Sequence, residues 1–333
     1  MTIADINRSV SRVSRGIRNR VTGQIHLARE LEQIRFAIGS LEARYARSSA
    51  TLHDAEFRAF SQFGEDGIIQ WLIARVPIPN DTFVELGTGS YRESNTRFLL
   101  EHDNWRGLIV DSGRAHLDYL ERSGLRWRYS VDALSAFITP DNINDLLRQV
   151  AGDIGLLSID IDGIDYWVLK ALNVVSPRIV IVEYNSVWGN ERAVSVPDNR
   201  SFDRTSAHWS GLYWGASLAA FCHLLTSQGY RFVGSSSAAQ NAFFARDDVA
   251  GDLPSLSALQ GWRAAKFRDS RDERGRLSYV DSHHDRRALI AQLPLIDVIS
   301  GTQLTVSQLD EPLKSKRASG AGIAKDDEPS PKA

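Results

Sequence analysis

Between residues 57 and 245 the chain alternates short β-rich runs with helical stretches, and this alternation narrows the possible folds more than any other feature. The runs fall at 82–86, 107–111, 127–131, 155–161, 178–184, 230–234 and 242–245. The first five read as strands buried on both faces of a parallel sheet, which are near-continuously apolar, and the stretches between them read as βα crossovers. The last two, separated by 235–241, read as an antiparallel pair at a sheet edge. The expected fold class is α/β: a doubly wound, mostly parallel sheet of seven strands with an antiparallel edge pair. With 333 residues, 43% of them hydrophobic, the chain is long enough for one large core with appendages.

The flanks differ from this centre. From Ile3 to Leu41 apolar residues return every three or four positions, through Ile6, Val10, Val13, Ile17 and Val21 to Leu31, Ile34 and Ile38, which predicts one stripe on a long helix within residues 1–50. Arg8, Arg12, Arg15, Arg18 and Arg20 crowd its first half. Such a helix suits peripheral contact with a membrane surface, a coiled-coil arm for homo-dimerisation through 3–41, or packing on the protein's own body. The α/β domain itself is expected over 57–248 and a helical cap over 249–313. The Lys-, Ser- and Pro-rich end, 314–333, reads as disordered.

Charge and cysteine content restrict the setting. Lys and Arg number 39 against 41 Asp and Glu, so no overall field favours nucleic acid. The single cysteine, Cys222, allows no intrachain disulfide, and no stretch is apolar enough to span a bilayer. A cytoplasmic protein is expected, with contact at the inner membrane face as its closest approach to lipid.

The chemistry concentrates where the runs end. The first closes in Glu85-Leu86-Gly87-Thr88-Gly89, where two glycines let a ligand approach the backbone and the following helix start offers free N–H groups. A diphosphate-binding turn would place a third glycine at position 92, but Arg92 stands there. An acid at Glu85 repels a diphosphate yet suits the cationic methionine end of S-adenosylmethionine. Asp111 ends the second run, 26 positions beyond Glu85, where its carboxylate can accept both ribose hydroxyls. Asp132 and Ala133, after the third, are placed to border an adenine ring, although Asp132 would serve equally as a helix N-cap.

The fourth run leads into Asp160-Ile161-Asp162-Gly163-Ile164-Asp165 and the fifth into Glu183-Tyr184-Asn185. Ends of neighbouring parallel strands share one crevice, so Asp160, Asp162, Glu183 and Asn185 can converge as oxygen ligands for Mg²⁺. An EF-hand is excluded, because Ala171 stands where its bidentate glutamate belongs. Activating a hydroxyl towards a sulfonium methyl requires a general base or a Lewis-acidic metal, and Asp160 and Asp162 can serve either mechanism. The bland alternative has Asp162 and Asp165 capping the helix that starts at Tyr166, with Asp160 hydrogen-bonded in the turn. His208, in the aromatic segment Ser206–Ser217, is a further candidate base.

Together these segments resemble the FkbM-type methyltransferases. The resemblance rests on Ser61-Gln62-Phe63-Gly64-Glu65-Asp66-Gly67-Ile68, Glu85-Leu86-Gly87-Thr88-Gly89, Leu157-Ser158-Ile159-Asp160-Ile161-Asp162-Gly163, Val182-Glu183-Tyr184-Asn185, Gly215-Ala216-Ser217-Leu218 and Asn241-Ala242-Phe243-Phe244. It covers roughly 57–310 and is nearest to a branch associated with bacterial surface-polysaccharide clusters. It implies a class I methyltransferase fold and O-methylation of a hydroxyl on a sugar, glycan or glycolipid precursor. By this match Glu85, Gly87 and Gly89 hold the methionine part and Asp111 the ribose, with Asp160, Asp162 and Glu183 in the catalytic crevice. Ser90-Tyr91-Arg92 departs from the relatives' pattern. A non-catalytic scaffold of a polysaccharide assembly complex is the alternative function. An NAD-dependent oxidoreductase is disfavoured by the missing third glycine, despite Tyr166 and Lys170 at the spacing some such enzymes use.

Overall fold

The computed structural model describes residues 3–311, with side chains from residue 26 onward. Its helices are α1 (Ile3–Ser48), α2 (Glu65–Ile73), α3 (Arg97–His102), α4 (Ala115–Ser123), α5 (Leu125–Arg128), α6 (Ile143–Leu146), α7 (Asp165–Ala171), α8 (Arg204–Ala207), α9 (Leu218–Ser227), α10 (Ala258–Gly261) and α11 (His283–Leu289). Its strands are β1 (Thr82–Leu86), β2 (Arg106–Asp111), β3 (Val131–Ser135), β4 (Gly152–Ile159), β5 (Val175–Glu183), β6 (Val194–Ser195), β7 (Tyr230–Ser235), β8 (Asn241–Arg246), β9 (Pro294–Asp297) and β10 (Gln303–Thr305). None of the described helices is long and apolar enough to cross a membrane.

Seven strands form one sheet in the order β3-β2-β1-β4-β5-β8-β7. β1 to β5 pair in parallel, and β8 runs antiparallel to both β5 and β7, giving the expected edge pair. The winding reverses between β1 and β4, so a crevice opens at the carboxyl ends of these two strands.

The sheet is apolar throughout because both of its faces are covered. Successive residues point to opposite sides: Val84, Leu86, Leu108, Val110, Leu157, Val180 and Val182 join one buried cluster, while Phe83, Ile109, Leu156, Ile179 and Ile181 join the other. Each large apolar side chain taken out of water contributes about 1.5–3 kcal/mol. Gly107 follows from this packing, since a Cβ there would lie 2.2 Å from the Phe83 ring.

Three expectations change. Residues 125–128 form α5, and β3 starts at Val131, four residues later than the run at 127–131 predicts. Trp127 is exposed, so the aromatic that made this run look like a buried strand lies on the surface. The expected helical cap contains α10 and α11, but also β9 and β10, which join β6 in a second, three-stranded sheet with β9 at its centre. Pro294 breaks the apolar stretch after Leu289: it cannot continue a helix, and the residues after it extend into β9. The apolar stripe of the N-terminal helix does not face the body either: Leu31, Ile34, Ile38 and Leu41 are all exposed. Gly39, Ala43 and Ala46, on another side of α1, are the residues buried against the domain. The expectations for Arg8–Arg20 and for 314–333 concern side chains and residues outside those described.

Candidate active site

The turn after β1 is held by close backbone contact. Gly87 has φ +83°, and a Cβ on it would sit 1.5 Å from the carbonyl oxygen of Asp160. Its N–H donates to Val110 O at 2.9 Å, and the Asp160 N–H donates to Leu86 O at 2.9 Å, which knits the ends of β1, β2 and β4 together. Gly89 also adopts a left-handed φ, +53°, but a Cβ there would meet nothing within 4 Å, so its backbone borders open space. Its N–H donates to Asp111 Oδ2 at 2.8 Å, and Gly113 N–H donates to Asp111 Oδ1 at 2.7 Å.

Glu85 is buried and well supplied with donors. Its carboxylate accepts the Ser94 hydroxyl at 2.6 Å, the N–H groups of Asn95 at 2.9 Å and Thr96 at 3.1 Å, and the Thr96 hydroxyl. Burial raises its pKa and these donors pull it back. The side chain therefore organises the backbone that leads into α3 while lining the crevice. Tyr91, part of the departure from the resembled pattern, has φ +60° and is fully buried, so this departure fills the core.

The acids of the Ser61–Ile68 motif act in the same way. Asp66 Oδ2 accepts the N–H groups of Ala59, Phe60 and Ser61 at 2.8, 2.7 and 2.8 Å and the Ser61 hydroxyl at 2.9 Å. Burial lifts Asp66 to about 6 against those donors. Glu65 accepts from Phe63 N–H at 2.9 Å and from Asn241 Nδ2 at 3.1 Å. The motif thus fixes a turn that turns Gln62 into the crevice.

At the ends of β4 and β5 the acids lack such neighbours. Carboxylate oxygens of Asp160, Asp162 and Glu183 lie within 4.8 Å of one another. Desolvation, then Asp162, raises Asp160 to about 7. Desolvation first and Asp160 second push Glu183 well above the usual carboxyl range. Glu183 Oε2 is buried and finds no donor, which fits a carboxyl that carries the proton itself and donates to Asp160. Asp162 has φ +55° and is bound to Arg204, whose Nε also donates to Gly211 O at 2.8 Å. Asp165 accepts the N–H groups of Ile161 and Gly163 at 2.8 and 3.0 Å and so shapes the 160–163 turn, whereas the N-cap of α7 is Ile164, without a side-chain cap, so the capping alternative is not what these bonds form.

Two cavities meet here. The larger, about 490 Å³, is bordered by Glu85, Thr88, Gly89, Asp111, Phe137 and Asn241. The smaller, about 290 Å³, is bordered by Glu183, Tyr184, Trp214, Gln240, Phe267 and Arg286. Gln62, Asp160, Asp162 and Arg204 line both and form the junction. Thr88 Oγ1 and Asn241 Oδ1 beside the first, and Gln240 Oε1 beside the second, are buried without hydrogen-bond partners.

Several expected site residues lie elsewhere or are engaged. Asp132 and Ala133 sit inside β3, paired with Leu108 and Ile109, and border neither cavity; Phe137, just past the strand, takes that place. His208 borders neither cavity, and its Nδ1 lies 2.8 Å from Ser210 Oγ. Asn185 borders the second cavity, but its Oδ1 accepts Val187 N–H at 3.1 Å and its Nδ2 donates to Leu212 O and Trp214 O at 3.1 and 3.0 Å. Its amide is used in loop structure and is not free to ligate a metal. Sequence reasoning missed Gln62, Phe137, Arg204 and Asn241. Gln62 and Asn241 stand inside motifs already singled out, whereas nothing local marks Phe137 or Arg204.

No protein-family model matches the chain, and no curated protein matches it. Among solved structures it is similar to the CurJ carbon methyltransferase, at 11% identity and TM-score 0.35 over 56% of each chain. It is similar to the N-terminal domain of EvdMO1 with SAH bound, at 12% identity and TM-score 0.37, over 61% of this chain and 94% of that one. It is also similar to an O-methyltransferase from Bacillus cereus in complex with SAH, at 19% identity and TM-score 0.31, over 49% of this chain and 72% of that one. The chain thus spans just over half the length of the CurJ structure.

Proposed function

We propose that this chain is an S-adenosylmethionine-dependent O-methyltransferase of FkbM type that methylates a hydroxyl of a sugar, glycan or glycolipid precursor. The observation that carries the reading is the junction of two cavities at Asp160, which is raised to about 7 beside Glu183, whose carboxyl burial and Asp160 push well above the usual range. A general base works best with a pKa near the operating pH.

The larger cavity fits the cofactor. Gly89 leaves its backbone open to a ligand, Thr88 Oγ1 and Asn241 Oδ1 await partners, and Asp111 faces the same space. In this reading Gly87, Thr88, Gly89 and Asn241 hold the methionine end, Asp111 the ribose and Phe137 one side of the adenine. When bound, the cofactor supplies a methyl group made electrophilic by its sulfonium. The acceptor lies in the smaller cavity with its hydroxyl at the junction. Asp160 would accept the hydroxyl proton as the acceptor oxygen gains the methyl group, the cofactor leaving as a neutral thioether. Glu183 keeps its own proton and donates to Asp160, which fixes the accepting oxygen. Asp162 and Arg204 form the wall between the two compartments. Trp214, Tyr184 and Phe267 offer the flat apolar surfaces on which a sugar ring packs.

A divalent cation is the second reading, favoured by the spacing of Asp160, Asp162 and Glu183. Arg204 already neutralises Asp162, and the shared proton accounts for the other two, so the base mechanism is preferred. Methyl transfer unchanged by EDTA is the expected result, and loss of activity restored by Mg²⁺ would reverse this preference. For the function as a whole the test is calorimetry with S-adenosylmethionine, followed by mass spectrometry of cell-surface glycans with and without the gene. Binding together with loss of one CH₂ per acceptor in the deletion supports the enzyme. No binding at millimolar cofactor leaves the scaffold.

A further inference from the structure

The exposed face of α1 repeats on a period of 3.5 residues. Leu27, Leu31, Ile34, Ile38, Leu41 and Tyr45 are separated by steps of 4, 3, 4, 3 and 4 and are 54–72% exposed. The same steps run back through the sequence at Gln24, Arg20, Ile17, Val13, Val10, Ile6 and Ile3, all within the span of α1. Thirteen positions from 3 to 45 therefore keep one phase, and eleven of them are apolar. A straight helix would drift about 20° per heptad from such a repeat, or roughly 120° over these six heptads. Apart from Arg20 and Gln24, where the apolar residues stand one position later at Val21 and Ile25, the stripe returns to one phase, as a supercoiled partner helix requires and a flat surface does not.

The domain uses the other side of the same helix. Phe36 packs against Phe60 and Phe98, and a Cβ on Gly39 would lie 2.8 Å from Ala59 Cβ. Ala43 and Ala46 are buried, and Glu32 pairs with Arg97. Small residues let α1 lie close to the body while the apolar stripe stays outward, so the stripe is not a remnant of intramolecular packing.

We infer that α1 forms a parallel, in-register two-stranded coiled coil with a second copy of this chain. Setting Ile3 as position a puts Ile3, Val10, Ile17, Gln24, Leu31, Ile38 and Tyr45 at a, and β-branched residues there favour two strands. The a position at 24 is Gln, and a lone polar a residue specifies register. Arg20 falls at d. The flanking charges fit the same pairing. Glu30 is at g and Arg35 at the following e, the two positions that meet across a parallel pair, so two opposite-charge contacts form by symmetry. Both residues are exposed, and Arg35 has no carboxylate partner among the described residues. The dimer is independent of the chemistry proposed for the crevice.

The test is light scattering on the full chain at about 10 μM, a range in which specific homodimers are populated. Twice the mass of one chain is expected, and a monomer overturns the proposal. Leu31→Glu with Ile38→Glu touches only solvent-facing positions and should weaken dimerisation about 100-fold or more by forcing charges into the seam. A dimer that survives this change overturns the proposal, and circular dichroism on the variant confirms that the domain is folded. Glu30→Arg and Arg35→Glu should each weaken association, and together they should restore it. In a Cys222→Ser background, Ile38→Cys should crosslink to its own copy under mild oxidation. Failure of either the restoration or the crosslink overturns the parallel register. A monomer that floats with phosphatidylglycerol vesicles would give the stripe to a membrane.

Discussion

Glu85, next to last in β1, and Glu183, last in β5, are both buried at the same rim of the sheet, yet their surroundings are opposite. Glu85 accepts from the backbone N–H groups of Asn95 and Thr96 and from two hydroxyls. Glu183 meets Asp160 and has an oxygen with no donor at all. Donors around a buried carboxylate favour its charged form and offset part of the cost of burial, whereas a second acid beside it favours the protonated form. The first arrangement repeats at Asp66 and Asp165. The second occurs where the two cavities meet.

This contrast orders the expected effects of mutation. Asp160→Asn removes the proton acceptor and should lower kcat by about 10²–10⁴-fold while leaving cofactor affinity within a few-fold; near wild-type kcat would remove Asp160 from the mechanism. Glu85→Gln leaves N–H groups facing an amide that donates as well as accepts, and should cost roughly 1–3 kcal/mol of stability in denaturant unfolding. An unchanged midpoint would mean that its donors do not support the turn. Glu183→Gln is milder for catalysis, because a neutral amide reproduces the donation that a protonated carboxyl makes to Asp160. Its kcat should stay within about 10-fold of wild type, the lower end of what a positioned proton-transfer group contributes.

The pH dependence divides the same groups. The rate should rise with pH through about 7 as Asp160 loses its proton. Stability should change in the opposite direction. Asp160 at about 7 and Asp66 and Asp165 at about 6 bind protons more tightly folded than unfolded. Their contribution is complete below their ordinary values near 4 and is lost as pH rises through 6 to 7. Urea unfolding across this window should show the decline, and Asp160→Asn should flatten its upper part. The smallest effect is expected from His208→Ala, outside both cavities, with kcat and stability both close to wild type.

The fold was readable because its cause is local. Unbroken apolar runs of strand length can be satisfied only between two covered faces, and the edge pair announced itself through two runs separated by a short turn. β3 was displaced because Trp127, counted as buried, lies on the surface, a fact that the run itself does not contain. The β9 and β10 hairpin was missed because an apolar stretch of that length reads equally as helix, although Pro294 was visible inside it. In the site, the residue types were legible and their roles were not. Four of the singled-out acids, Glu85, Asp66, Glu65 and Asp111, hold backbone turns.

The sequence by itself determined the sheet, the two-glycine turn with an acid before it, and the placing of carboxylates at the strand ends, since backbone geometry and the period of burial follow from neighbours a few positions away. Only the tertiary structure decided which carboxylates are free to act, because their partners come from far along the chain. Arg204 reaches Asp162 across 42 positions, and Asn241 reaches Glu65 across 176. A side chain's charge at neutral pH depends on the donors and acids packed around it, and that environment exists only once the chain has folded.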